Sequence, residues 1–336
     1  MNDTIQVVRL HEVGYPADTL RIERIARPTL RPDEVGIRVH AFALNRADWL
    51  YARGMHYTAL VLPSRIGSEC AGVVEEVGSA VHDIKPGDKV ATVPFNTTMH
   101  GVQGEYAVVP ARYVAPWPAE LSAIEATSIW MQYLTAYFAF IEVGQLTARD
   151  HVLIPAASSS AGLAAVQLAK LCGATVIATT RSSAKAALIY ETGADTVVVV
   201  NDSIDLSNAI LQASGERGVR IVYDPVAGPF MRRYLDALAP NARIFIYGLL
   251  SGQATELDIV PLVRRAAVVH PYSMFNHVSD PDQLRRGIAF VLDAIRDRGL
   301  RPRIGKVFGF GESVSAYREL DDDSHYGKIV VESDVP

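Results

Sequence analysis

A serine- and alanine-rich bend in the segment VLIPAASSSAGLAAVQLAK (152–170) joins an apolar run to a helical pattern. The run 151–156 predicts a buried strand, and 160–173 predicts a helix. Small residues at a strand–helix junction let the backbone approach a pyrophosphate, and the free N–H groups of a helix N-terminus attract its charge. The bend is therefore a candidate phosphate-binding loop, made of Ser158, Ser159, Ser160, Ala161 and Gly162.

The bend is a degraded form of the dinucleotide-binding pattern G-x-G-x-x-G. If Gly162 is the third glycine, Ala157 and Ser159 stand at the first two positions. The context supports the interpretation, because a strand precedes the bend, a helix follows it, and a further strand–helix repeat comes next. The alternative is a structural turn that binds no ligand.

The end of the second strand indicates which dinucleotide would bind. Proteins that use NAD place Asp or Glu about 20 residues past the loop, where it binds the ribose 2′-hydroxyl. Here Thr180 is followed by Arg181, Ser182 and Lys185, and no acidic residue occurs before Glu191. An acid would repel a 2′-phosphate, whereas these side chains can bind it by charge-assisted hydrogen bonds. We therefore predict NADPH as the cofactor; the alternative is solvated surface charge.

Composition excludes several other classes. At about 150 residues per domain, 336 residues suggest two domains, and 49% hydrophobic residues suffice for a buried core. A net charge of −5 argues against a nucleic-acid partner. Cys70 and Cys172 cannot form a disulfide framework or an all-cysteine zinc site. Without a signal peptide pattern or a long apolar run, we expect a cytoplasmic protein with no membrane partner.

The elements that position the loop form a repeating series. Apolar strands are predicted at 151–156, 175–180, 196–200, 221–226 and 242–250, and helices at 160–173, 182–193, 204–215 and 229–239. Strands that are apolar throughout are typical of a parallel sheet covered by helices on both faces. The series predicts a doubly wound α/β domain.

The segments on either side of this series have a different pattern. The first third contains short strand-like runs broken by turns at 31–34, 85–88 and 116–120, which predicts a small barrel or sandwich. A helical pattern over 121–143 begins with a capping box at Ser122 and Glu125. After a helix at 282–299, the segments RIGKVFGF and GKIVVES are expected to pair with the N-terminal β domain.

Seven segments are specific in their order and separation. They are ALNRADWLYARG (43–54), GSECAGVVEEVGS (67–79), KPGDKV (85–90), WMQYLTAY (130–137), AASSSAGLAAVQLAK (156–170), VYDPVAG (222–228) and HYGKIVVE (325–332). Through these segments the sequence resembles the medium-chain dehydrogenase/reductase superfamily, and specifically its zinc-independent quinone oxidoreductase branch. The resemblance implies an α/β protein with a GroES-like β-barrel catalytic domain, residues 1–122 completed by 281–336. The implied Rossmann domain, a doubly wound parallel sheet that binds NADPH, is residues 123–280.

The resemblance implies further cofactor-binding residues. Asn45 would lie near the nicotinamide ribose or carboxamide, and Thr135 under the nicotinamide. Gly248, Met274 and Phe275 would flank the ring. The alternative for Thr135 is a packed hydroxyl that bonds to its own helix backbone.

Three side chains of the loop LYARGMHYTAL (50–60) are candidate catalytic residues, as proton donor or oxyanion contact. Enoyl-thioester reductases of the superfamily use a Tyr two residues after the glycine of this loop. Here His56 stands in that place, Tyr57 follows it, and Tyr51 precedes the glycine. The alternatives are a contact at the rim of the site and a proton supplied by solvent.

The resemblance also bears on metal binding. Zinc-using members carry a Cys, a His, and a Cys or acid where this sequence has Asn45, Ser68 and Met131. Those three side chains do not make the tetrahedral site that zinc needs, and the remaining acids, Asp48 and Glu69, are too few. We expect no metal.

Without a metal, the site lacks the Lewis acid that alcohol oxidation uses. We therefore expect the reaction to be a reduction. Hydride delivery from NADPH to a conjugated carbonyl is easier, because the charge delocalises into an enolate. The expected substrate is a small-molecule quinone or α,β-unsaturated carbonyl. The alternatives are an enoyl-thioester reductase and a nucleotide-binding redox sensor without catalysis.

The resemblance further implies a homodimer. We expect it to form through the strand ARIFIYGLL (242–250), taken as the edge of the parallel sheet. Pairing of two such edges across a two-fold axis would cover unpaired backbone groups.

Overall fold

The computed structural model describes residues 4–95, 100–322 and 325–333. These residues divide into two compact units, one formed by Met1–Met131 with Ile288–Pro336 and the other by Gln132–Gly287. We call them the catalytic unit and the nucleotide unit. The sequence analysis placed the two boundaries after residues 122 and 280.

The strands of the described residues are numbered in chain order. They are β1 (Thr4–Leu10), β2 (Leu20–Ala26), β3 (Glu34–Ala43), β4 (Ser64–Arg65), β5 (Glu69–Val77), β6 (Lys89–Thr92), β7 (Tyr106–Pro110), β8 (Val114–Pro116), β9 (His151–Ile154), β10 (Thr175–Thr180), β11 (Thr196–Val199), β12 (Val219–Asp224), β13 (Leu238–Ile246), β14 (Val268–Pro271), β15 (Ile304–Gly309) and β16 (Lys328–Glu332).

The helices are α1 (Pro16–Thr19), α2 (Arg46–Ala52), α3 (Ala123–Ala126), α4 (Trp130–Tyr137), α5 (Ser160–Leu171), α6 (Ala186–Glu191), α7 (Leu206–Ala213), α8 (Ile259–Arg264), α9 (Phe275–Val278), α10 (Pro281–Arg298) and α11 (Ser313–Asp321). None of the helices in the described ranges is both long and apolar enough to cross a membrane.

The catalytic unit is built on two sheets. The larger has the order β15-β16-β3-β5-β6-β8, with β7 paired to β3, and the smaller has the order β2-β1-β4. The late strand β16 pairs antiparallel with β3, so that Val330 lies opposite Ala43, and β15 pairs parallel with β16. The small side chains Ala41 and Ala43 let Val330 pack against them in a buried cluster. The tail strands therefore complete the N-terminal β domain, as the sequence predicts.

The nucleotide unit contains a six-stranded parallel sheet of order β11-β10-β9-β12-β13-β14. In the order in which the strands occur along the chain this is 3-2-1-4-5-6, the arrangement of a doubly wound dinucleotide-binding domain. Its core includes Leu153, Ile177, Val222 and Ile244 from four neighbouring strands, all fully buried. The predicted fold class is confirmed.

One predicted helix, 229–239, is wrong. The chain forms short 3₁₀ turns over Gly228–Arg233 and Leu235–Ala237, and β13 begins at Leu238. The Asp224 carboxylate accepts hydrogen bonds from the N–H groups of Val226 and Ala227 and from the Tyr234 hydroxyl. These bonds hold the segment in tight turns close to the end of β12, where a regular helix does not form.

The predicted sheet edge is also wrong. The segment 242–250 contributes to β13, which lies between β12 and β14, so its backbone groups are paired on both sides. The edge strands of the sheet are β11 and β14, and β14 is not among the strands predicted from the sequence.

The predicted helix over 121–143 is divided. It forms α3, α4 and a π-helical segment over Phe138–Val143. The capping box is present, because the Glu125 carboxylate accepts from the Ser122 N–H and the Ser122 hydroxyl accepts from the Glu125 N–H.

Candidate functional site

The bend between β9 and α5 has little room for side chains. Ala156 has a φ of +49°, and Ala157 donates its N–H to the Thr179 carbonyl at 2.9 Å. Ser159 caps α5 by accepting the Gly162 N–H at 3.1 Å. A Cβ added to Gly162 would lie 2.6 Å from the Ala157 Cα, which no real side chain tolerates. The bend and the helix thus approach each other as the third glycine of a dinucleotide-binding loop requires.

The predicted 2′-phosphate residues lie at the same edge of the sheet as the bend. Strands β9 and β10 are parallel neighbours, with Ile154 opposite Ala178, so their carboxyl ends lie side by side. Thr180 is buried and accepts the Ser182 N–H at 3.2 Å, which turns the chain outward. Arg181 is exposed and Lys185 is half-buried. Both cations therefore follow the strand that neighbours the one leading into the bend.

Of the residues predicted around the nicotinamide, Thr135, Gly248, Met274 and Phe275 lie in the nucleotide unit, whereas Asn45 lies in the catalytic unit. A Cβ at Gly248 would lie 2.7 Å from the Pro225 carbonyl oxygen, so only glycine fits this close approach. Thr135 and Met274 are buried, and Phe275 begins α9. The Tyr272 hydroxyl donates to the Thr135 carbonyl at 2.8 Å and holds Thr135 near the segment that carries Met274.

The catalytic unit holds a buried polar network that we call the Asn45–Glu69–Lys328 triad. The Lys328 ammonium donates to the Asn45 Oδ1 at 2.5 Å and to the Glu69 Oε2 at 2.6 Å. The Asn45 amide donates through Nδ2 to the same Glu69 oxygen at 3.1 Å. The other carboxylate oxygen of Glu69 accepts the Met131 N–H at 2.7 Å. The Lys328 ammonium and the Glu69 carboxylate therefore both have hydrogen-bond partners in the protein interior.

Asp48 extends the network toward Ser68. One carboxylate oxygen accepts the Asn45 N–H at 3.0 Å, and the other accepts the Ser68 hydroxyl at 3.3 Å. Asp48 is the third residue of α2, and its bond to Asn45 caps that helix. As a result, Asn45, Ser68 and Met131, which stand at the zinc-ligand positions of the resemblance, all bond to one network.

Lys328 is a site residue that no sequence motif predicted. It occupies the first position of β16, a strand that is otherwise apolar up to Glu332, and its side chain is 1% exposed. A lysine among buried strand residues must have a partner, because an isolated buried charge is very costly. That position in GKIVVES was the available signal. Within the described ranges, no group of three or more His, Cys, Asp or Glu side chains is placed to hold a metal ion.

The Asp48 carboxyl should make stability depend on pH. Burial raises its pKa to about 7, although the Asn45 N–H and Lys328 oppose the shift. The folded pKa exceeds the unfolded value of about 3.9. At pH values between the two, the native state therefore binds more protons than the unfolded state. The free energy of unfolding should therefore fall as the pH rises from about 4 to about 7, by up to about 1.4 kcal/mol per pH unit.

We expect Asp48→Asn to remove this dependence. Urea unfolding at about pH 5 and about pH 8 should show the variant gaining stability over the wild type at the higher pH. Asp83→Asn, at an exposed aspartate of the same unit, serves as the control. Equal pH profiles for Asp48→Asn and the wild type would contradict the prediction.

The three candidate catalytic side chains divide between a helix and a loop, because Tyr51 lies in α2 and His56 and Tyr57 lie in the segment that follows it. The Tyr51 hydroxyl is 3.4 Å from the Ser64 hydroxyl and 3.5 Å from the Val61 N–H. His56 stacks on Tyr57, with ring centroids 4.1 Å apart, and its Nδ1 accepts the Thr58 N–H. Burial lowers the pKa of His56, so the ring is neutral at neutral pH. Tyr57 is 61% exposed, more than Tyr51 or His56.

Both units of the chain are similar to those of known proteins. The profile of the alcohol dehydrogenase GroES-like domain matches residues 31–119, and that of the zinc-binding dehydrogenases matches residues 161–292. A quinone oxidoreductase of Pseudomonas aeruginosa is 29% identical over 291 residues, which are 86% of this chain and 88% of the relative. The structure of mycobacterial Rv1454c complexed with NADPH has a TM-score of 0.89 at 25% identity, covering 97% of this chain and 99% of that one.

A much longer protein matches as well. A phenolphthiocerol/phthiocerol polyketide synthase of Mycobacterium tuberculosis is 30% identical over 315 residues, which are 94% of this chain. The chain spans only 14% of the length of that relative.

A GroES-like unit joined to a nucleotide unit with a dinucleotide-binding bend defines a class of oxidoreductases. The chain belongs to the medium-chain dehydrogenase/reductase superfamily, in its quinone oxidoreductase-like branch. The family prediction made from the sequence is confirmed.

Proposed function

We propose that the protein is an NADPH-dependent reductase that delivers hydride to quinones or α,β-unsaturated carbonyls without a metal. The observation that carries this proposal is the Asn45–Glu69–Lys328 triad, which joins the positions where zinc-using relatives carry their ligands. The Asn45 amide oxygen and one Glu69 oxygen already accept hydrogen bonds from the Lys328 ammonium, which occupies the lone pairs that a metal ion would need. The profile match to zinc-binding dehydrogenases covers 161–292 and so excludes Asn45, Ser68 and Met131.

The choice of NADPH rests on the residues of the nucleotide unit. The close approach of bend and helix at Gly162 and the capped start of α5 are suited to a pyrophosphate, and Arg181 and Lys185 carry the charge that a 2′-phosphate needs. The relative complexed with NADPH and the quinone oxidoreductase relative support the same assignment.

The residues of the chain would bind and orient, and the cofactor would supply the reducing equivalent. NADPH, when bound, would supply the hydride for the conjugated carbonyl, and a proton delivered to the resulting enolate or hydroquinone anion would complete the reduction. Tyr57 is the candidate to deliver that proton, because its phenol is exposed whereas the pKa of His56 is lowered by burial. Thr135, Met274 and Phe275 would contact the nicotinamide ring.

The decisive experiment is NADPH consumption against a panel of quinones, enones, alkenals and crotonyl thioesters. We expect turnover with at least one quinone or enone, and the same rate after dialysis against a strong chelator. Turnover that is lost on chelation and restored by zinc would refute the metal-free proposal. Turnover confined to crotonyl thioesters would favour the enoyl-thioester alternative, and no NADPH oxidation with any member would refute reductase activity.

Replacing Tyr57 tests the proton donor. We expect Tyr57→Phe to lower kcat by about 10-fold, less than the roughly 100-fold or more typical of a general acid, because water can reach an exposed loop and replace the phenol. Steady-state kinetics with the best substrate of the panel measures this loss. Tyr326→Phe, at another exposed tyrosine of the catalytic unit, should not change kcat. Unchanged turnover in Tyr57→Phe would remove Tyr57 from catalysis.

We also propose a homodimer, now placed at β14 rather than at β13. Within the described chain β14 pairs on one side only, with β13. Three large apolar side chains near it are exposed, namely Val260, Val263 and Val268. An open strand edge beside exposed apolar residues is typical of a self-association surface.

Val263, which is 71% exposed, is the place to test the dimer. We expect light scattering to give a dimer for the wild type at micromolar concentration and a monomer for Val263→Glu, because a buried unpaired charge opposes association. Val307→Glu, at an exposed valine of the catalytic unit, is the matched control. A monomeric wild type would refute the proposal.

A further inference from the structure

The Asn45 amide has one defined orientation. An ammonium can only donate hydrogen bonds, so the atom that faces Lys328 must be the amide oxygen. The amide nitrogen then faces Glu69, which is acceptor-only as a carboxylate. The two charged residues therefore fix both ends of the amide, and neither end can exchange places with the other.

The members of the triad differ in their exposure. Lys328 is 1% exposed and Glu69 is 0% exposed, whereas Asn45 is 6% exposed. The amide nitrogen of Asn45 carries a second hydrogen, for which no described residue provides an acceptor. Lys328 and Glu69 can thus influence a bound molecule only through Asn45.

The charges around the amide also change its chemistry. A positive charge 2.5 Å from the amide oxygen draws electron density from the nitrogen and makes its N–H a stronger donor. A buried lysine–glutamate pair is seldom more stable than a well-packed apolar pair, so its stability alone does not account for this arrangement. A donor held in place before the substrate arrives is what stabilises charge that develops on a carbonyl oxygen.

We propose that Lys328 and Glu69 are positioning residues that hold the Asn45 amide as a donor to the substrate's developing enolate or hydroquinone oxygen. This inference rests on the proposed reductase function and names the group that takes the place of a metal ion in polarising the carbonyl. Asn45 is then a catalytic residue that contacts the substrate oxygen.

The kinetic test compares four variants. Asn45→Ala should lower kcat by about 100-fold, as expected for loss of one oxyanion donor. Lys328→Met alone leaves Glu69 unpaired and can impair folding, so the double variant Glu69→Gln/Lys328→Met, which removes both charges, is the informative one. It should lower kcat by about 10-fold and leave the KM for NADPH unchanged, while Lys328→Arg should stay within about 3-fold of the wild type. Lys306→Met, which removes an exposed lysine paired with Glu319, is the matched control.

Binding of 4-nitrophenol supplies a readout that does not need turnover. In the presence of NADP⁺, the wild type should bind the phenolate in preference to the phenol, seen as a shift in its ionisation by absorbance. The double variant and Asn45→Ala should lose that preference.

A folded double variant with wild-type kcat and wild-type phenolate preference would overturn the inference. So would a rise in the KM for NADPH with kcat unchanged, because the amide would then serve the cofactor. If the wild type oxidises NADPH with no member of the panel, the reductase proposal fails, and the nitrophenol titration still tests the amide.

Discussion

Lys328→Met is expected to lower the free energy of unfolding by about 3–5 kcal/mol, which is a large part of the stability of a typical protein. The substitution leaves the Glu69 carboxylate fully buried, with the Asn45 amide and the Met131 N–H as its remaining donors. A buried charge that has lost its counter-ion is far more costly than a surface one. Urea or thermal unfolding, followed by circular dichroism, measures the loss.

Two further variants decide whether the cost comes from the unpaired charge. In Glu69→Gln/Lys328→Met both charges are gone and residue 69 can still accept the Met131 N–H, so most of the stability should return. Lys306→Met breaks an exposed pair with Glu319 and should change stability by less than about 1 kcal/mol. Equal losses in the single and the double variant would show that packing, rather than charge, accounts for the effect.

Arg181→Asp is expected to raise the KM for NADPH by about 10- to 100-fold and to leave the KM for NADH nearly unchanged. The expected size corresponds to about 1.5–3 kcal/mol, the contribution of a hydrogen bond to a charged group. The substituted carboxylate would also repel a 2′-phosphate and could bind a 2′-hydroxyl instead.

The control for Arg181 is Arg149→Asp, a second exposed arginine of the nucleotide unit. It makes the same change in net charge but follows no phosphate-binding strand, so it should alter neither KM. A similar rise for both nucleotides in Arg181→Asp would indicate a general disturbance of the bend, and unchanged affinity for NADPH would remove Arg181 from the cofactor site.

Local patterns predicted the fold wherever structure depends on neighbouring residues. The Ser122–Glu125 box and the apolar parallel strands depend on short segments, and the structure contains them. The segment 229–239 has helical spacing, but it is held in turns because the Asp224 carboxylate accepts hydrogen bonds from the Val226 N–H and the Tyr234 hydroxyl. The edge of the sheet could not be read from 242–250 alone, because it depends on whether 268–271 pairs beyond it.

The candidate site was likewise predictable only where its residues are close together in the sequence. The bend, Gly162 and the cations after β10 belong to one continuous stretch, so motif spacing was enough to find them. The triad joins Asn45, Glu69 and Lys328, which are separated by 24 and 259 residues. No spacing rule connects such distant positions, and the only local sign was a lysine at the start of an apolar strand.

The pairing of β16 with β3 sets an order of events during translation. The ribosome releases β3, β5 and β7 long before β16, so the Ala41–Ala43 end of β3 has no partner on one side while the nucleotide unit is made. A nascent chain halted before codon 328 would lack the cation that neutralises Glu69. Such chains would expose an unpaired strand edge together with a carboxylate that is buried in the folded protein. We expect them to bind chaperones for this reason.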